Sequence, residues 1–195
     1  QSSRANARAQ QVDAGNVYLW RRAPMRLEAE SIRDSILAAS GALNPVAGGP
    51  GYRDFKMYNH KGSWVYDPID PEGPEFNRRS IYRTWARGSV HPLLAPLDCP
   101  DPSSAAPVRS VTTTPLGALS LMNTSFVIRM SEEMAKRLEA MPGDEEKQIG
   151  HAFELAFGRP ATPQDLNLGL GFVKENGLAA FCRVLFNANE FLYLN

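Results

Sequence analysis

The stretch that decides the fold is Thr112-Thr113-Thr114-Pro115-Leu116-Gly117-Ala118-Leu119 and its continuation to Leu138. Leu116, Leu119, Asn123, Phe126, Met130, Met134 and Leu138 recur every three or four positions, the period of one side of an α-helix. Thr114 before Pro115 is a start signal: a hydroxyl to accept from the free amides of a first turn, then a residue that lacks its own amide. Met141-Pro142-Gly143 stops this helix, and Asp144 caps another that carries Ile149, Phe153, Ala156 and Phe157 up to Gly158-Arg159-Pro160. Thr162-Pro163-Gln164-Asp165 repeats the start with an acid placed for a capping box, ahead of Leu166, Leu170 and Val173. A last apolar face runs from Leu178 through Phe181, Cys182, Leu185 and Phe186 towards Phe191. Joined by short loops, about four such helices predict an antiparallel array over 112–195.

Moving towards the N-terminus, the helical period is lost. From Ala47 to Pro107 turn residues crowd in, as in Gly48-Gly49-Pro50-Gly51, Asp70-Pro71-Glu72-Gly73-Pro74 and Pro100-Asp101-Pro102. Between them Tyr52 to Tyr58, Trp64 to Tyr66 and Ser80 to Trp85 carry the aromatic and β-branched residues of short strands, which predicts a small, irregular β-hairpin region. Further back, Met25, Ala29, Ile32, Ile36 and Ala39 form the stripe of an amphipathic helix that starts after Pro24 and ends at Gly41. Gln1 to Asn16 has no apolar period and reads as a strap or frayed helix. Val17, Tyr18, Leu19 and Trp20 then place four large apolar side chains in a row, more than a free strap would leave in water. The expected class is therefore mainly α with a small irregular β region (α+β). Its parts are a strap over 1–24, a helix with irregular β and loop structure over 25–111, and the array over 112–195, with 25–195 as one domain.

Composition excludes several functions. At 195 residues, 43% hydrophobic and 22% charged, the chain can bury a substantial core. Twenty-one basic residues cancel 21 acidic ones, so no global field draws it to nucleic acid or to an anionic membrane. No apolar stretch approaches the roughly 20 residues of a membrane span. The opening residues are polar and do not read as a secretory leader. Cys99 and Cys182 fit no zinc spacing and read as free thiols, and the absence of Cys-x-x-Cys-His excludes haem attachment. His60, His91 and His151 stand in unrelated contexts, without the pairing of a zinc hydrolase. Gly48-Gly49-Pro50-Gly51 lacks the lysine of a phosphate cradle and reads as a turn.

Two local constellations offer chemistry. Asp67, Asp70 and Glu72 lie in an acidic turn that could present hard oxygen ligands to calcium, and the competing reading is a solvated turn. Arg79, Tyr82, Arg83 and Trp85, next to Arg78 and Arg87, make a basic and aromatic patch suited to a glycan or polyanion. The structural reading of the same residues is that Glu28, Glu30 and Asp34 of the first helix pair with Arg78, Arg79 or Arg83.

Several ordered blocks carry a resemblance. They include Asn16 to Arg21, Met25-Arg26-Leu27-Glu28-Ala29-Glu30, Arg79-Ser80-Ile81-Tyr82, Leu97-Asp98-Cys99-Pro100, Arg109 with Thr112 to Leu119, Met122 to Phe126, Phe157 to Thr162, and Leu185 to Tyr193. In this order they resemble the planctomycete-type domain of unknown function 1553, also called the Planctomycetes-specific C-terminal domain. The resemblance implies the C-terminal half of that domain, completed by an upstream helical half. It also implies an extracytoplasmic setting, periplasmic or cell-surface, in an exported multidomain bacterial protein often associated with cytochrome c. It supplies no catalytic residues. The expected function is a non-catalytic structural or interaction module, and the other reading is glycan or polyanion binding or polysaccharide processing. Expected partners are the upstream part of the parent chain or a neighbouring subunit, with any haem on a partner and calcium the one metal considered for this chain.

Overall fold

The computed structural model describes residues 6–194. Helix α1 (Ala7–Val12) and a long turn lead to strand β1 (Met25–Arg26) and helix α2 (Ala29–Ser40). A hairpin of β2 (Phe55–His60) and β3 (Ser63–Pro68) follows, and then a loop region to residue 114 that contains two single helical turns. Helices α3 (Pro115–Asn123), α4 (Ser125–Glu139), α5 (Glu145–Phe157), α6 (Pro163–Asn176), α7 (Leu178–Phe186) and α8 (Asn189–Leu192) end in β4 (Tyr193–Leu194). The fold is mainly α with a small β part.

Helix α4 is the centre of the packing, between α2 and α7, with α3 and α5 against its ends. Its face Val127, Met130, Met134 and Leu138 is fully buried against Ile32, Ile36 and Leu37 of α2 and Cys182, Leu185 and Phe186 of α7. Gly169 brings α6 close: a Cβ there would stand 2.8 Å from Ile149 and 3.3 Å from Phe181. The caps are those the sequence announces. Thr114 accepts from the amide of Gly117, Asp144 from that of Lys147, and Thr162 and Asp165 exchange the bonds of a capping box.

Three helices differ from their sequence reading, the last because the run from Leu178 towards Phe191 is split at Asn187 and Ala188 into α7 and α8. The face from Leu116 to Leu138 is interrupted, because Thr124 is extended (φ −68°, ψ 139°) and its hydroxyl donates to the carbonyl of Ser120. A threonine that offers the backbone a competing bond breaks the run into α3 and α4. The first helix begins at Ala29 rather than Met25, since Met25 and Arg26 pair antiparallel with Leu194 and Tyr193.

The middle region is held by buried polar groups. Asp34 accepts from the amide and hydroxyl of Ser80 at 2.7 Å, which folds Ser80–Tyr82 into a single helical turn instead of the strand expected there. Within the run from Ser80 to Trp85, Arg83 alone bridges, in parallel to Tyr52, as Arg78 just before it does to Asn44. The Gly48-Gly49-Pro50-Gly51 turn has both Gly48 and Gly49 left-handed (φ 79° and 76°) and turns the carbonyls of Gly48 and Pro50 towards Arg78. Val46, Gly48 and Pro50 each accept from the Arg78 guanidinium, so the loop cradles a cation of the chain itself. Of the opening strap, Gln1 to Ala5 lie outside the described residues. From Asn6 onward the segment is a self-capped turn, with Asn6 capping α1 and Asp13 accepting from the amides of Val17 and Tyr18.

Candidate functional site

An apolar hollow of ligand size lies where four distant segments meet. Strands β1 and β4 form one wall, the first turn of α2 another, and Leu97-Asp98 and Arg109-Ser110-Val111 close the rest, around a volume of about 370 Å³. Pockets that bind small molecules start near 300 Å³. Met25, Leu27, Leu97, Val111 and Leu194 make its lining mainly apolar. Met25 and Val111 stay 52% and 69% exposed, so this apolar surface faces water.

Its rim is charged and internally paired. Arg26 donates to Asp98 at 2.8 Å and to the carbonyl of Thr112. Asp98 also accepts the amide and hydroxyl of Thr112 at 2.8 and 2.7 Å, which pins the 109–114 segment to the loop before it. Burial pushes the Asp98 carboxyl up, but the Thr112 bonds and Arg26 outweigh it and hold it below its ordinary value. Across the groove Arg109 takes Glu30 in a bidentate grip at 2.8 and 3.0 Å and reaches Glu28 at 3.4 Å. Burial raises the Glu30 carboxyl, and the Arg109 bond and charge, a backbone amide and the Cys99 thiol together more than reverse it.

These groups suit binding rather than proton or acyl transfer. Glu30 and Asp98 are both lowered and paired with an arginine, so neither is a general acid near neutral pH. Cys99, beside Glu30, has its thiol pushed up to about 12 by burial and by that carboxylate, far from the thiolate a nucleophile needs.

A smaller cavity, about 40 Å³, brings Tyr52, Asp54, His91, Arg33 and Arg129 together. His91 resembles a base beside an acid, with Nε2 at 3.3 Å from Asp54. Its Nδ1, however, accepts from the amides of Leu93 and Leu94 at 3.1 Å, so both ring nitrogens are engaged and the ring caps a turn. The same Asp54 oxygen, Oδ2, also accepts from Arg83 Nε at 2.7 Å.

The residues singled out from sequence are placed as follows. Arg79, Tyr82, Arg83 and Trp85 do not line one cleft. Arg83 is buried on Asp54 with its guanidinium 4.5 Å from the Trp85 ring, Tyr82 lies under Arg78 and accepts from the Gly48 amide, and Arg79 points outward. The calcium arrangement is replaced by other contacts. Asp70 is clamped by Arg129 at 2.5 and 2.7 Å, Asp67 faces Tyr58 across the hairpin, and Glu72 is exposed. Among the described residues no group of three metal-ligating side chains converges. Of the α2 acids, Asp34 meets Arg79 at 3.8 Å, while Glu28 and Glu30 meet Arg109 instead of Arg78, Arg79 or Arg83. The reason is that Arg78 is drawn into the carbonyl cradle and Arg83 to Asp54. Sequence reasoning missed the pairing of Arg26 with Asp98 and of Arg109 with Glu30, although all four stand in the blocks quoted for the resemblance.

A family model described as protein of unknown function (DUF1553), PSD1, matches residues 1–173. The chain belongs to the DUF1553 family. No curated protein and no solved structure matches it. In this DUF1553 chain three of the quoted blocks, Met25 to Glu30, Leu97 to Cys99 and Arg109 to Thr114, come together at the one groove.

Proposed function

We propose that this DUF1553 chain is a non-catalytic interaction module whose groove seats an extended apolar segment from the upstream part of its parent chain. The observation that carries this reading is the groove itself: ligand-sized, apolar within, open to water, and rimmed by ions that satisfy one another. A rim already paired adds little desolvation cost when a partner covers it, and the exposed Met25, Val111 and Leu194 supply the gain. The setting is an exported, multidomain, cytochrome-associated protein outside the cytoplasm, with haem on a partner domain. Glycan or polyanion binding draws no comparable support, because Tyr82, Arg83 and Trp85 are engaged with other residues of the chain.

The test is co-expression of the 195 residues with the upstream segment of the parent. Met25→Asp and Val111→Asp are expected to abolish co-purification while leaving the melting transition in place. Undiminished capture by both variants would refute the reading. Capture of a second copy instead would move the partner to a neighbouring subunit.

A further inference from the structure

The β2–β3 hairpin presents a surface that the groove does not account for. Among the described residues the two strands pair with each other and with no other strand, from Phe55 opposite Pro68 to His60 opposite Ser63. Cross-strand partners share a face, so Met57 with Tyr66 and Asn59 with Trp64 continue the side that begins at Phe55. That side grades outward. Phe55 is buried at the base with its ring 5.5 Å from Tyr66, whereas Met57 is 48% and Trp64 58% exposed. Tyr58, on the other side, is also exposed.

Charge is arranged around this apolar tip. Arg53, Lys56 and Lys61 are exposed cations, against Asp67 as the exposed acid opposite Lys56. The turn places Lys61 and Gly62 at φ 49° and 85°, both left-handed. Such a turn favours Asn or Asp before Gly, so a lysine sits at the tip against the backbone preference.

We propose that the hairpin is an anchor to an anionic lipid surface, in which Trp64 and Met57 enter the interfacial zone while Lys56 and Lys61 meet lipid phosphates. Six-residue strands reach roughly 20 Å at about 3.3 Å per residue, and interfacial elements bury to about 5–10 Å. The hairpin is long enough to lay its Met57 and Trp64 side in that zone while Lys61 at the turn and Lys56 towards the base stay at the level of the phosphates. Tryptophan and tyrosine favour this zone because one end of each ring system is apolar and the other polar. The cationic rim matches the negative potential of anionic lipid. No helix among the described residues is long and apolar enough to cross a membrane, so the contact is one of the surface.

The experiment uses the full chain with vesicles of phosphatidylcholine alone or mixed with phosphatidylglycerol. Co-sedimentation is expected with the mixed vesicles only, weakening as salt is raised. Trp64→Ala, and separately Lys56→Glu with Lys61→Glu, are each expected to lower the partition coefficient by about tenfold or more. A variant with Trp20→Phe and Trp85→Phe leaves Trp64 as the sole tryptophan, and its emission should shift to the blue and be quenched by brominated lipid. If that variant does not fold, the sedimentation of the other two carries the test. Failure to sediment with anionic vesicles, or binding indifferent to both sets of substitutions, overturns the proposal. So does self-association without lipid that Trp64→Ala abolishes, which makes the hairpin a protein contact.

Discussion

The helical array and the middle region reach order by opposite means. Around α4 the core is apolar and continuous, and each helix contributes a stripe whose period can be read locally. Between Asn44 and Thr112 the polypeptide is held by charged side chains folded inward: Arg33 on the carbonyls of Phe76 and Arg78, Arg78 in its cradle, and Arg83 on Asp54. Apolar packing tolerates substitution by degrees, whereas a buried ion pair fails when one partner goes. The largest effects are therefore expected in the region with the least regular structure.

Asp54→Ala tests that first. The Arg83 side chain is 1% exposed and that of Asp54 6%, so removing the carboxylate strands a buried guanidinium. The expected cost is about 3–5 kcal/mol by urea denaturation. Hydrogen exchange should show protection lost around Tyr52 and Thr84 before α4 and α7 open. A cost under about 1 kcal/mol would mean that the pair does not hold the region.

Leu138→Ala, at a fully buried position of α4, is the counterpart in the array. It should cost about 2–5 kcal/mol and lower protection in α2, α4 and α7 together, because one continuous core transmits the loss. Local opening confined to the end of α4 would show that the array is less cooperative than its packing implies.

This contrast also explains what the sequence disclosed. The helices, their caps and the Gly41 terminus were legible because neighbouring residues determine them. The break at Thr124 was not, since a hydroxyl that takes the Ser120 carbonyl leaves the apolar period untouched. Nor was the β1–β4 pairing, which joins two dipeptides from opposite ends of the described chain. At the groove, apolar Leu27 and Leu97 and charged Arg26, Asp98 and Arg109 were visible as residue types, but Arg109 and Glu30 are 79 positions apart and no local pattern brings them together. Buried arginines were the hardest to read. Arg33, Arg78 and Arg83 have the composition of a surface patch, and only the carbonyls and carboxylate facing them show that they point inward.

Acidity should separate two smaller contributions. Burial lowers the pKa of His91, although the Asp54 carboxylate opposes it, so the unfolded chain takes up this proton first. Stability should be full above the ordinary histidine value of about 6.5 and fall below it until His91 protonates in the fold. Asp54, Asp70 and Asp98 work in a separate window. Burial raises each, but their hydrogen bonds and arginines hold them below 3.8, so their contribution persists above that value and is lost as pH falls through the folded pKa. The urea midpoint should therefore decline in two steps on acidification. His91→Asn, which keeps an acceptor for the Leu93 and Leu94 amides, should remove the upper step and, by taking the His91 bond from Asp54, weaken the lower one. A single acid transition in the wild-type protein would contradict the assignment.

The smallest effect is expected at the groove rim. Arg109 grips Glu30 with ideal geometry, yet its side chain is 39% exposed, and solvent screens such a pair. Arg109→Ala should change stability by no more than about 1 kcal/mol, because Asp98 still ties Thr112 down from the other side. Its consequence should lie in recognition. Without the guanidinium, Glu28 and Glu30 face the groove unpaired, and an apolar segment entering it must desolvate both. Capture of the upstream segment should weaken several-fold while the melting transition stays in place. A large loss of stability would show instead that the rim holds the middle region together, and that the contrast between the groove and the buried pairs does not stand.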